Sequence, residues 1–162
     1  MDRQAYTDAV ERSSQRVFLL ALSFTRHRQD AEDVTQTVFL KLWKHTAPFL
    51  SDEHLDKWLT RVTVNESRSL LRARARTPLS YEELEDFCAA PEVPEAQILV
   101  AAVTRLPESL RTVVHLRYYE DLPIKEIARL LHLSQAAVKM RLVRARKLLK
   151  PLLTEEEDHE TE

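Results

Sequence analysis

The sequence predicts an all-α protein: two small helical domains joined by a flexible acidic linker. Three observations predict it. The chain of 162 residues contains no glycine, so the two-residue hairpin turns of β-rich folds lack their usual residue. Apolar residues recur every three or four positions along most of the chain, the spacing of one helix face. Basic and acidic residues fall into blocks rather than mixing evenly. Missing glycine also argues against phosphate-cradling loops, dinucleotide fingerprints, the glycine-flanked serine elbow and the usual calcium loop. Hydrophobic residues make 44% and charged residues 31%, as in a chain that folds around a core.

The charge blocks set the expected domains. Residues 1–76 hold 13 Lys+Arg and 10 Asp+Glu, net +3. Residues 77–97, the linker, hold no base and 6 acids, net −6. Residues 98–153, the second domain, hold 11 bases and 4 acids, net +7. Residues 154–162, the tail, hold 6 acids, net −6. Basic blocks suit a polyanionic partner such as nucleic acid. A solvated basic face is the alternative for the second block. The single thiol, Cys88, can form neither an internal disulfide nor a Cys-rich zinc site, and suits a reducing cytoplasm. The apolar run Val17–Leu22 is too short to span a membrane. It follows mixed charges, unlike a signal peptide. A cytoplasmic protein without membrane insertion is expected.

The elements follow in order. Tyr6, Val10, Val17, Leu20 and Phe24, with Ser13 filling a gap, mark one long helix. A polar break covers Arg26 to Gln29. Asp30 is expected to cap the next helix, with Asp33 at its third position, where negative charge favours the helix dipole. Val34, Val38 and Leu42 line its inner face, and Pro48 closes it. Residues 46–54 read as a loop. A third helix is expected from Leu55 through Trp58, Leu59, Val62 and Leu70 into an Arg-rich end, with Trp58 in the core and stacking on nucleic acid as its alternative. The linker carries Pro78, Pro91 and Pro94, with one helical turn expected at Tyr81–Phe87. Fully extended, it reaches at most about 70 Å.

In the second block, Ile98, Ala102 and Leu106 suggest a lead-in helix. Pro107 suits the first position of the next helix, which runs to Tyr119. Pro123 opens a shorter helix with Ile127, Leu130 and Leu131 inward. Ser134 caps a final helix with Val138, Leu142, Ala145 and Leu149 on one face. The tail EEEDHETE reads as a disordered, solubilising segment; folding back onto the basic helix is the alternative.

Residues 123–147, PIKEIARLLHLSQAAVKMRLVRARK, read as a helix-turn-helix. The first helix must pack across the second, so Ile127, Ala128 and Leu131 face Val138 and Leu142. Gln135, Ala136, Lys139, Met140, Arg141, Arg144 and Arg146 are left for a major groove, where Arg and Lys can read guanine or grip phosphate. Ile124 and Lys125 can offer backbone N–H groups and a cation to phosphate. His132 stands where glycine often makes the turn, and histidine enters left-handed angles more readily than β-branched residues. A plain helical hairpin is the alternative.

Taken together, the two blocks resemble the extracytoplasmic-function (ECF) sigma factors of the sigma-70 family. DAEDVTQTVFLKLW (30–43) resembles the polymerase-binding helix of that family. WLTRVTVNESRSLLRARAR (58–76) resembles its −10 reading and strand-opening helix. LPESLRTVVHLRYYEDLPIKEIARLLHLSQAAVKMRLVRARKLL (106–149) resembles its −35 binding domain. The resemblance implies a three-helix-type sigma region 2 and a helix-turn-helix sigma region 4. It implies that Asp30, Asp33, Gln36, Phe39 and Leu40 dock on core RNA polymerase, which the protein contacts through its β′ clamp and β subunits. Thr37 replaces a Glu common in the family. The resemblance further implies −10 contacts from Arg61, Asn65, Arg68 and Arg72, with the loop 46–57 completing a pocket for a flipped base. It implies −35 contacts from Lys125, Gln135, Lys139, Met140, Arg141, Arg144 and Arg146; Met140 replaces a small polar residue. An anti-sigma partner and a monomeric free state are also implied.

On this reading the protein is no enzyme, has no cofactor and binds no metal. The six histidines show no HExxH or paired metal spacing, and no nucleophile–base set stands out. The rival is a stand-alone helix-turn-helix regulator with a helical N-terminal domain. It accounts for 98–153 but not for residues 30–43 or the Arg-rich helix with Asn65.

Overall fold

The computed structural model describes residues 1–75, 103 and 105–159, with side chains through Pro151. Every regular element among them is helical. The chain divides into two compact units, Met1–Phe87 and Cys88–Glu162. The expected turn at Tyr81–Phe87 and the lead-in positions Ile98 and Ala102 lie outside the described residues.

The first unit is three helices packed pairwise: α1 (Arg3–Thr25), α2 (Arg28–Lys44) and α3 (Asp52–Arg74). Val17, Leu20 and Phe24 of α1, Val34, Val38 and Leu42 of α2 and Leu59 of α3 are all buried. Those positions lie on the apolar stripes of the sequence, whereas Tyr6, Val10, Trp58, Val62 and Leu70 of the same stripes are only partly buried.

Two helix starts differ from the sequence expectation. Asp30 is not the cap of α2. His27 is: its backbone is extended and its Nδ1 accepts from the Asp30 N–H at 3.2 Å. The preceding corner is Arg26, at φ 50°, where its N–H closes α1 on the Leu22 carbonyl. Two residues therefore suffice to reverse the chain, and α2 begins before Asp30. α3 likewise begins at Asp52 rather than near Leu55. Ser51 caps it, accepting from the His54 N–H at 3.1 Å, and Asp52 and Glu53 occupy the first turn. Apolar spacing could not reach that polar turn, whereas capping chemistry does.

The second unit contains α4 (Glu108–Val114), which runs directly into a π-helical turn at His115–Tyr119, then α5 (Ile124–Leu131) and α6 (Gln135–His159). Pro107 is the N-cap of α4 rather than its first residue. The helix ends at Tyr119 as expected, but its last turn holds an extra residue. His132 takes the left-handed conformation, φ 55°, and the Leu133 N–H closes α5 on the Ala128 carbonyl at 2.9 Å. Ser134 accepts from the Ala137 N–H at 3.0 Å. Helix α6 continues past Leu149 through Pro151 to His159. The acidic run 155–157 is made of good helix formers, and the helix carries Pro151 despite the lost ladder bond and the crowding of the carbonyl one turn back.

Candidate functional site

Three exposed faces carry the residues singled out above, Asp30 and Phe39 excepted. The first lies on α2. Asp33, Gln36 and Leu40 are exposed and follow one another at helical spacings of three and four. The Asp33 carboxylate accepts from Gln29 Nε2 at 3.1 Å. Trp43 continues the face, and it and Leu40 are each 52% exposed. The Trp43 ring meets Tyr6 of α1 edge to face at 5.0 Å, and the Tyr6 hydroxyl donates to the Phe39 carbonyl at 3.3 Å. Asp30 and Phe39 do not belong to this face, because both side chains are buried. Thr37 is half-buried and its hydroxyl donates to the Asp33 carbonyl at 2.9 Å. Sequence reasoning missed Trp43. Its place three residues beyond Leu40 was the available signal, but an apolar residue at helical spacing reads first as core.

The second face lies on α3. Arg61, Asn65, Arg68 and Arg72 are spaced four, three and four residues apart, so they form one stripe. Arg61, Asn65 and Arg72 are exposed, and Arg68 is half-buried. Asn65 sits between cations on both sides. Beside the start of α3, the connection from α2 is held by an aromatic cluster. Phe49 stacks on His45 at 4.7 Å and meets Trp58 edge to face at 5.6 Å and His54 at 5.5 Å. Leu50, next to Phe49, is 87% exposed. Trp58 is half-buried inside the cluster, so it packs rather than projecting free.

Ion pairs fix α3 to both neighbours. Arg12 reaches Asp52 at 2.9 Å and Arg16 reaches Asp56 at 3.3 Å, both from α1. From α2, Lys41 pairs with Glu66 and Asp30 pairs with Arg74.

The third face is the helix-turn-helix. Ile127, Ala128, Leu131, Val138, Leu142 and Ala145 are buried where α5 and α6 pack. This leaves Lys125, Gln135, Lys139, Met140, Arg144 and Arg146 exposed and Arg141 half-buried. They are not all on one surface. Gln135, Lys139 and Arg146 share one flank of α6 at spacings of four and seven, whereas Met140 and Arg144 point away from the buried stripe. Arg146 is engaged: its Nε donates to the Tyr118 hydroxyl at 3.0 Å. Tyr118 escaped sequence reasoning, because its place depends on the π turn. Behind it, His115 is buried and stacks on Tyr119 at 4.9 Å. Burial pushes the His115 imidazole down to about 4. It is therefore neutral at neutral pH, although Glu120 Oε1 lies 4.0 Å from its Nε2.

Among the described residues no three His, Cys, Asp or Glu side chains converge as a metal site would require. No described helix is long and apolar enough to cross a membrane.

Comparison with known proteins matches both units to one family. Residues 9–77 match the model described as Sigma-70 region 2, and residues 96–149 match Sigma-70, region 4. The RNA polymerase sigma-H factor of Pseudomonas aeruginosa is 30% identical, over 95% of this chain and 91% of that protein. The ECF RNA polymerase sigma-E factor of Haemophilus influenzae is 27% identical, over 91% of this chain and 87% of that protein. The chain belongs to the ECF sigma factors of the sigma-70 family. It is an RNA polymerase sigma factor, serving promoter-specific initiation of transcription. The sigma factor shares its fold with the sigma factor RpoE in its co-crystal structure with the anti-sigma factor NepR from Bartonella quintana. That match has a TM-score of 0.66 and 21% identity, covering 93% of this chain and 98% of that one.

Proposed function

We propose a division of labour for this sigma factor. Residues 1–76 dock on core RNA polymerase and open the −10 element, and residues 98–153 hold the −35 duplex. The docking face is Asp33, Gln36 and Leu40 of α2, extended by Trp43. An apolar centre beside a carboxylate and an amide is what a specific protein interface needs. Arg61, Asn65, Arg68 and Arg72 of α3 line the −10 strand. Their cations follow phosphates, and the Asn65 amide both donates to and accepts from a base edge. Holding a flipped base offsets the few kcal/mol of unstacking, so it favours the open state. Lys125, Met140, Arg141 and Arg144 meet the −35 duplex, with Gln135, Lys139 and Arg146 along one flank of α6. Polymerase performs the chemistry. The cytoplasm is where that partner and its promoters are found. An anti-sigma factor is the expected restraining partner, by analogy with the fold that RpoE presents to NepR.

The observation that carries this reading is the α3 stripe, in which one exposed amide stands among three arginines at helical spacing. A stand-alone regulator has no need of it. The test is a pull-down of purified bacterial core RNA polymerase with the wild type, Asp33→Ala and Gln36→Ala. Capture by the wild type that weakens in both variants is the expected result. A folded wild type that ignores polymerase yet binds duplex tightly on its own would return the chain to the stand-alone regulators.

A further inference from the structure

The family resemblance implies Asp30 as a docking residue, but its side chain is 3% exposed. A group so enclosed cannot meet a protein partner without local unfolding. It needs a different explanation.

Asp30 lies in the first turn of α2, where unpaired backbone N–H groups favour a carboxylate. His27 Nδ1 is 3.5 Å away, and the Arg74 guanidinium closes the group from α3. Arg74 is the last residue of α3. Forty-four residues separate the partners in sequence, yet the pair joins one helix start to another helix end.

Stability alone does not account for an ion pair at this point. Desolvating two charges costs about as much as their attraction returns, and apolar side chains of similar volume hold helices together at least as well. A guanidinium–carboxylate contact adds direction, because its planar donors accept only a narrow range of approach. Direction matters at this end of α3. The last four carbonyls of a helix lack intrahelical partners, so its final turn frays first. Arg72, the last member of the exposed stripe, lies in that final turn. The carboxylate that pins the turn is itself firmly placed, since the short corner at Arg26 and His27 fixes where α2 begins.

We propose that Asp30 and Arg74 form a latch that holds the final turn of α3, and with it Arg72, in register for the opened promoter strand. Asp30 is then a positioning residue and not a polymerase contact. This rests on the reading that the α3 stripe meets the −10 strand.

The test uses the full chain with core polymerase and a promoter fragment carrying a fluorescent base in the −10 element. Three proteins are compared with the wild type: Arg74→Ala, Asp30→Asn, and the double variant. Arg74→Ala strands a buried carboxylate and is expected to show the lowest melting temperature. The double variant removes that charge imbalance and is expected to melt close to the wild type. It should also compete for core polymerase as the wild type does, yet open the promoter about tenfold more slowly. Opening at the wild-type rate by a stable double variant overturns the latch, leaving the pair a matter of packing alone. Loss of polymerase binding in a folded Asp30→Asn overturns it differently, by making Asp30 a docking contact. Arg61→Ala and Asn65→Ala are run alongside. If both open the promoter normally, the reading of the stripe fails, and the latch loses its purpose with it.

Discussion

Helices α3 and α6 both turn a polar, mainly basic face outward from a buried apolar stripe, and both start at a serine cap, Ser51 and Ser134, but what is added to that seat differs. Helix α3 is tied by ion pairs to both neighbours, from Asp52 in its first turn to Arg74 at its end. Helix α6 instead has a left-handed corner at His132 just before its cap, and α4 and α5 pack against its apolar stripe. The difference matches what each face must do in the proposed reading. A duplex presents a regular groove, so a capped helix on an apolar seat is sufficient. A base drawn out of the stack must meet its partners in one geometry, so its helix benefits from fixed contacts along its length.

Three measurements would sharpen or break this contrast. The largest expected effect is acid sensitivity in the second unit. His115 titrates at about 4 when folded and at 6.5 when exposed. The unfolded chain therefore binds the extra proton between those values, and stability falls as pH drops through that window. The full effect is on the order of 3 kcal/mol. It should be read by urea unfolding at stepped pH, and His115→Phe should flatten the profile while keeping a ring against Tyr119. An unchanged profile in that variant would place the acid sensitivity elsewhere.

Next in size is the separation of grip from opening. Arg144→Ala is expected to weaken −35 duplex binding by polymerase holoenzyme about tenfold and to lower its salt dependence if the contact is to phosphate. Arg61→Ala should leave that affinity intact and slow only the opening of −10 DNA. Equal effects of both variants on both steps would erase the contrast. The smallest effect concerns the corner before α6. His132→Gly should raise stability by about 0.5 to 1 kcal/mol, since glycine occupies left-handed angles without a Cβ clash. Thermal melting reads this directly, and a drop would mean that the imidazole makes a contact worth more than the strain.

How far the sequence was legible depended on the kind of force involved. Val17, Leu20, Val38, Leu59, Val138 and Leu142 were readable because burial follows helical period. Ser134 and His132 were readable because caps and left-handed corners have local chemistry. His27 was not, since histidine is an uncommon cap and Asp30 beside it is a common one. Trp43 could not be placed because an apolar residue at helical spacing carries no label for inside or outside. The inward turn of Asp30 and the contact between Tyr118 and Arg146 depend on partners 44 and 28 residues away. Local pattern holds no record of such pairs, and the π turn that presents Tyr118 leaves no mark on composition.

The missing glycine has a consequence for how the molecule comes apart. Arg26, Asp121 and His132 take left-handed angles that a free chain visits less often at such residues than at glycine. A corner of this kind is less often bent in advance than one made by glycine. Each is held chiefly by the helices docked beside it, so it relaxes when that docking is lost. Pairs of helices cut from either unit should therefore show little residual hairpin, and each unit should melt in a single cooperative step.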